Sequence, residues 1–215
     1  MKSFAVIGLG RFGTQLATRL FELDCDVLAI DESEECVNAI SDRVTRAVRA
    51  DAKNRDVLKS LGVGDCDCAI VAIGSNLEAS VLITMNLKSL NVPQIICKSH
   101  SAVHSEILEK LGATQVIIPE HAVADKLAKS LSSPDVLDFI QLSADFGIVE
   151  LRAPESFWGK TIRKLNVRAK YGVNIIAIKK DGTIKVSPTA DYIVEKDGIL
   201  VLLGEYASIE KLKKA

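Results

Sequence analysis

Residues 1–31 constrain the fold of this chain more tightly than any other stretch. Residues 4–7 form a short apolar run suited to a buried strand, and Gly8-Leu9-Gly10-Arg11-Phe12-Gly13 follows at once. Over residues 14–23 the apolar positions Leu16, Ala17, Leu20, Phe21 and Leu23 recur on one broad face, which predicts a helix. A second apolar run, residues 27–30, ends in Asp31. Strand, glycine turn, helix, strand and acid thus occur in that order.

Each glycine has a mechanical role in such a unit. Gly8 permits the tight turn off the strand, Gly10 lets a phosphate approach the backbone, and Gly13 lets the helix pack close to the sheet. Free N–H groups at the helix start, with the dipole behind them, form an anion site. Asp31 stands where a carboxylate accepts hydrogen bonds from ribose hydroxyls. It also disfavours a 2′-phosphate, so the fingerprint points to NAD, ATP or ADP over NADP.

The alternation continues beyond Asp31. Ser33 is placed to cap a helix through residue 40, and further strands are expected over 44–48, 69–73, 93–97 and 114–118. Helices are expected over 54–61, 77–90 and 101–111. Near-continuous Val/Ile/Ala runs between helices are the pattern of a parallel sheet covered on both faces. The fold class is therefore α/β, a Rossmann-type doubly wound parallel sheet.

The pattern changes after a helix over 120–131 that Ser132-Ser133-Pro134 breaks, with residues 135–140 read as a short helix or a link. Strands are expected over 146–152, 172–179, 184–186 and 199–203, with a hairpin turn at Asp181-Gly182 and helices over 161–165 and 207–214. This is a second, small α+β domain. The boundaries are 1–133 for the nucleotide-binding domain, with crossover helices to about 141, and 142–215 for the second.

With 27 basic and 28 acidic residues the net charge is −1, which argues against a nucleic-acid partner. Residues 1–3 run straight into the first strand, leaving no room for a signal peptide, and a cytoplasmic protein is expected. Cys66 and Cys68 could be a metal or redox pair, but their setting beside an apolar run favours buried thiols.

Catalytic candidates are weak. Tyr192 and Lys196 match YxxxK but precede Asp197-Gly198 in a β-rich segment, so the match reads as chance. His100 and His104 have a zinc-compatible spacing without an identifiable third ligand, and capping or surface histidines are the better reading. No catalytic residue is assigned, and binding is favoured over turnover.

Several motifs together resemble one family. They are Gly8 to Gly13; Ala72-Ile73-Gly74-Ser75-Asn76 leading into Glu78-Ala79-Ser80; Leu111-Gly112-Ala113 with Pro119-Glu120; and, in the second half, residues 167–178 with Val186-Ser187-Pro188. Over essentially its whole length the chain resembles the cytosolic regulatory subunits of bacterial Ktr potassium-uptake systems. These join an RCK (TrkA-N) nucleotide-binding domain to a TrkA-C domain.

The resemblance implies a homodimer assembling into an octameric ring. It binds ATP, ADP or NAD(H), lies on the inner face of the cell membrane, and docks beneath an integral-membrane potassium-translocating subunit. It implies cofactor contacts from Gly8, Gly10, Arg11, Phe12, Gly13, Asp31, Glu32, Asp51, Ala52, Ala72, Ile73, Gly74, Asn76, Lys98 and Glu120. Arg11 and Lys98 would meet phosphates, Asp31 the ribose and Asp51 the adenine amino group. Glu120 would sit near the terminal phosphate or a divalent cation. Some relatives bind cyclic di-AMP between two copies of the second domain, and the matching positions are Arg168, Asn174, Ile175, Ile178 and Pro188. Ala50 and Lys53 depart from the family's usual Gly and Thr. The alternative is a small NAD-dependent oxidoreductase or an NAD-reading redox sensor.

Overall fold

Six parallel strands in the order β3-β2-β1-β4-β5-β6 build the first half of the chain in this computed structural model, which describes residues 1–74, 76–132 and 136–214. They are β1 (Ser3–Ile7), β2 (Asp26–Asp31), β3 (Arg46–Arg49), β4 (Cys68–Val71), β5 (Gln94–Lys98) and β6 (Gln115–Ile117). Helices α1 (Arg11–Glu22), α2 (Glu34–Ile40), α3 (Arg55–Ser60), α4 (Leu77–Ser89) and α5 (Ala102–Leu111) connect them. The doubly wound sheet expected from the alternating runs is present.

Side chains alternate across a strand, so each strand feeds two cores. Ile7, Ile30, Val71 and Ile95 pack with Ile83, Leu87 and Leu108 of α4 and α5. Val6, Val27, Ala29 and Ile70 pack with Ala17, Val37 and Ile40 of α1 and α2. Caps behave locally as their residues dictate. Ser33 Oγ accepts from Cys36 N–H, Asn54 Oδ1 from Asp56 and Val57 N–H, and Asn76 Oδ1 from Ala79 N–H. The order reverses between β1 and β4, and in open α/β sheets ligands bind at that point, outside the strand C-termini.

The chain divides into two units, Met1–Ala122 and Val123–Ala215, and the division falls within α6 (Pro119–Ser132). Ser133 and Pro134, where the break was expected, lie outside the described residues, as does Ser75 of the Gly74–Asn76 motif.

The second unit holds an antiparallel sheet, β10-β9-β11-β8-β7. Its strands are β7 (Val136–Gln141), β8 (Phe146–Arg152), β9 (Asn174–Lys180), β10 (Thr183–Val186) and β11 (Ile199–Glu205). Helices α7 (Ile162–Leu165), α8 (Val167–Tyr171) and α9 (Tyr206–Lys213) complete it. Val149, Leu151, Leu200, Leu202 and Ile178 form its core with Ile209 and Leu212 of α9.

Two expectations fail here. Residues 136–141 are a strand, not a helix or link, because β7 pairs along β8 from Val136↔Leu151 to Gln141↔Gly147. Pairing with a distant segment outweighs the ambiguous local pattern. The strand expected from residue 172 starts at Asn174, because Gly172, at φ 72°, ends the unforeseen helix α8. The Asp181-Gly182 turn has both residues at positive φ, as a tight hairpin requires.

Candidate functional site

The glycine loop between β1 and α1 shows which glycines the fold itself demands. Gly8 turns the chain at φ 95°, and an added Cβ would lie 2.8 Å from Ile73 Cγ1. A Cβ on Gly13 would lie 1.9 Å from the Gly8 carbonyl oxygen, so α1 starts directly against the loop. Gly10 differs. Its φ of −70° suits any residue, and a Cβ there would meet nothing within 4 Å among the described residues. The open space over Gly10 is what a ligand would use. First-turn N–H groups have no partner inside a helix, and α1 has neither a side-chain cap nor an acid in its first turn. This bare, positive helix end fits an anion.

Asp31 anchors the other side. Its Oδ2 accepts from Leu9 N–H at 2.6 Å and its Oδ1 from Ser33 N–H at 2.8 Å. One carboxylate therefore ties the glycine loop to the end of β2, and Asp31 is also among the residues lining the cleft.

Two cavities meet at Gly8, Asp31 and Ile73. The smaller, of about 210 Å³, is walled by Ile7, Ile30, Ala50, Ala52, Ala79 and Ile83, with Glu32, Lys53 and Asn76 at its polar edge. The larger, of about 610 Å³, gathers Gly10, Arg11, Phe12, Ala72, Gly74, Lys98, His100 and Glu120. The Lys98 Nζ donates to Glu120 Oε1 at 2.8 Å and lies 5.8 Å from the centre of the Phe12 ring. That ammonium, together with the Glu120 backbone N–H, holds the Glu120 carboxyl below the usual carboxylate range. One lobe is apolar with hydroxyl-accepting carboxylates, and the other carries Arg11, Lys98 and a helix N-terminus. The shape and charge suit an adenosine joined to phosphates.

Asp51 stands beside the cleft and is not in its lining. Its Oδ1 accepts from Lys53 N–H at 2.9 Å, while Asn54 provides the cap of α3. Lys53, Ala50, Ala79, Ile83 and His100 line the cleft and were not assigned as contacts. Lys53 Nζ reaches Glu32 Oε1 at 2.8 Å, and its carbonyl accepts from Asn86 Nδ2 of α4. That bond pins β3's exit to a helix distant in sequence, which no local pattern could signal.

His104 is 2% exposed, so it is not the surface histidine expected from its spacing. No group of three or more potential metal ligands is present among the described residues. Cys66, Cys68 and Cys97 are buried free thiols, and burial pushes Cys68 up to about 11.

In the second unit Arg168, Asn174 and Ile175 line a cavity of about 330 Å³ together with Asn166, Val167 and Val173. Ile178 does not join them. It is 2% exposed in the core, because its position on β9 turns it toward Leu200. Pro188 is also outside the lining and follows Ser187, which is at φ 49°.

Comparison with known proteins agrees with this architecture. Residues 4–119 match the TrkA-N domain and residues 148–215 the TrkA-C domain. The chain is 44% identical over 212 residues to the Ktr system potassium uptake protein A of Bacillus subtilis (strain 168), covering 99% of this chain and 96% of that one. The crystal structure of the GsuK RCK domain superposes with a TM-score of 0.67 at 20% identity, covering 99% of this chain and 47% of that one. The NAD(P)-binding domain of an exopolyphosphatase-related protein from Archaeoglobus fulgidus superposes at 0.55 with 26% identity, over 61% of this chain and 98% of that one. The matched domains and the near full-length identity place the chain in the family of Ktr potassium-uptake regulatory subunits.

Proposed function

We propose that this protein is the nucleotide-responsive subunit of a potassium-uptake system. It binds ATP, ADP or NAD(H) in the β1–β4 cleft without turning it over. It assembles from homodimers into an octameric ring that lies at the cytoplasmic face of the membrane, against an integral-membrane potassium-translocating partner. Among the described residues no helix is long and apolar enough to cross a membrane, which accords with a peripheral role. The observation that carries the reading is the open space over Gly10, at a bare helix N-terminus flanked by Arg11 and Lys98 with Asp31 opposite. The named binding activity of the Archaeoglobus domain supports a nucleotide as occupant.

A ligand shifts a ring only as far as it prefers one shape. The sensing step lies at Lys98. An arriving terminal phosphate competes with Glu120 for the Lys98 ammonium, and Arg11 supplies a second positive charge. Glu120 sits in the first turn of α6, the helix within which the two units divide, so a change of partner there acts at the root of the second unit. The Lys98 ammonium already pairs with the Glu120 carboxylate, and no group of three or more potential metal ligands is present among the described residues, so the residues present do not by themselves fit a divalent cation there. The cavity at Arg168, Asn174 and Ile175 is the candidate site for a second ligand, cyclic di-AMP, shared between two copies of the TrkA-C domain.

The test is titration calorimetry of the full chain with ATP, ADP and NADH, beside assays of ATP hydrolysis and NADH oxidation. Asp31→Ala is expected to weaken all three by about 1–3 kcal/mol through lost hydrogen bonds to ribose and a loosened loop. Arg11→Ala is expected to reduce the ATP:ADP affinity ratio. Robust turnover by the wild type would return the oxidoreductase or sensor reading to first place.

A further inference from the structure

His100 is held far more firmly than an exposed side chain ordinarily is. Its backbone sits in the corner between β5 and α5, where Ser99 Oγ donates to the Ser101 carbonyl at 2.9 Å and accepts from Ser101 N–H at 3.3 Å. Ser99 is fully buried, and its N–H donates to the Ile117 carbonyl. Ser101 then caps α5 by accepting from His104 N–H. One turn into α5, His104 places its Nδ1 3.1 Å from His100 Nδ1, with ring centroids 4.8 Å apart. Backbone and ring thus both have partners, and His100 is one of the residues lining the phosphate lobe.

We propose that His100 is a phosphate-binding residue of this cleft, presented to the ligand as an Nε2–H donor because the buried His104 occupies its Nδ1. The inference rests on the cleft being a nucleotide site, and adds to it a contact and a positioning residue.

Proton placement carries the argument. A contact between two Nδ1 atoms holds one proton. If that proton were on His100, His104 would be left with a buried Nε2–H. That Nε2 has no hydrogen-bond partner among the described residues. Buried N–H groups without acceptors are rarer than unfilled acceptors, so the proton belongs on His104. His100 then accepts at Nδ1, and its own proton sits on Nε2. Burial, the larger cause, and the neighbouring His100 lower the pKa of His104, which disfavours a second proton on its buried ring. The charged residues that line this cavity with His100 are Arg11 of α1, Asp31 of β2, Lys98 of β5 and Glu120 of α6. Lys98 already holds Glu120, so among these His100 is a donor without a carboxylate of its own in the described structure.

The experiment is calorimetry of the full chain with ATP and with adenosine, at pH 7 and in two buffers of different ionisation enthalpy. His100→Ala is expected to weaken ATP about tenfold, the scale of one hydrogen bond to a charged group, while adenosine is unaffected. His100→Gln, whose amide N–H stands in for Nε2–H, is expected to recover most of that loss. His104→Asn frees the ring and is expected to weaken ATP with proton uptake on binding above the wild-type value. Independently of any variant, nitrogen-15 NMR of the wild type should report the Nε2–H tautomer for His100 and Nδ1–H for His104. ATP affinity unchanged in His100→Ala, or the opposite tautomers, overturns the proposal while leaving the nucleotide site intact. A wild type that binds adenosine and ATP equally well overturns the phosphate contact. One that binds neither overturns the cleft reading as well.

Discussion

At the scale of single residues, the three loop glycines separate folding from binding. A Cβ on Gly13 would collide with the Gly8 carbonyl oxygen at 1.9 Å and crowd the Ala72 Cβ at 3.1 Å, with no flexible side-chain end to move aside. Gly13→Ala is therefore expected to destabilise the first unit by about 1–3 kcal/mol or more, as overpacking does, and to impair binding with it. Gly10→Ala meets open space at φ −70°, so thermal unfolding of the free protein should match the wild type or exceed it by up to about 1 kcal/mol. Its nucleotide affinity should nevertheless fall by about tenfold or more, because the methyl group occupies the approach to the helix end. Equal affinities for Gly10→Ala and wild type, measured by calorimetry, would remove the anion site from the loop. Asp31 was readable as the acid of the fingerprint. Its two backbone bonds, to Leu9 and Ser33, were not, since they depend on how loop and strand end meet.

At the scale of elements, the termini of β1 and β4 are tied by Asp67. Its Oδ2 accepts from Ser3 N–H at 2.8 Å and from Ser3 Oγ at 3.1 Å, and Asp67 N–H donates to Ser3 Oγ. These bonds, the backbone one first, lower its pKa below the ordinary carboxylate value of about 3.9. A depressed folded-state pKa means the contribution is present above about pH 4 and disappears as pH falls through the lower folded value. Denaturant unfolding followed from pH 6 to pH 2 should therefore lose stability less steeply below pH 4 in Asp67→Asn than in the wild type. Parallel slopes would show that the tie carries no pH dependence. At the start of α4, Asn76 caps through Ala79 N–H and also borders the cleft. Asn76→Ala should cost about 1 kcal/mol, while Asn76→Ser should keep most of that stability, because a hydroxyl caps nearly as well. If Ser also keeps full nucleotide affinity, the amide is a cap alone.

At the scale of the whole molecule, two units with separate cores should unfold separately, and a ligand stabilises the unit that binds it. ATP at about a hundred times its dissociation constant adds about 2.7 kcal/mol to the first unit. Scanning calorimetry should show that transition rising with ATP and the other moving with cyclic di-AMP. A single transition shifted by either ligand would mean the units are not energetically independent. What the sequence determined by itself was the local grammar: glycines at a strand end, periodic helices, Val/Ile runs and cap residues. These act over one or two turns, and they suffice to indicate a doubly wound sheet with its glycine loop on the first strand, whereas the strand order that sets the switch point came from the structure. Only the tertiary structure decided which distant groups meet. It made residues 136–141 a strand by offering β8 as partner, and turned Ile178 into the core by the register of β9 on β11. It also gave Glu120 to Lys98, and buried His104 beneath an exposed His100. Each depends on sheet register or helix docking, where a shift of one residue exchanges inside for outside, and no short stretch of sequence carries that information.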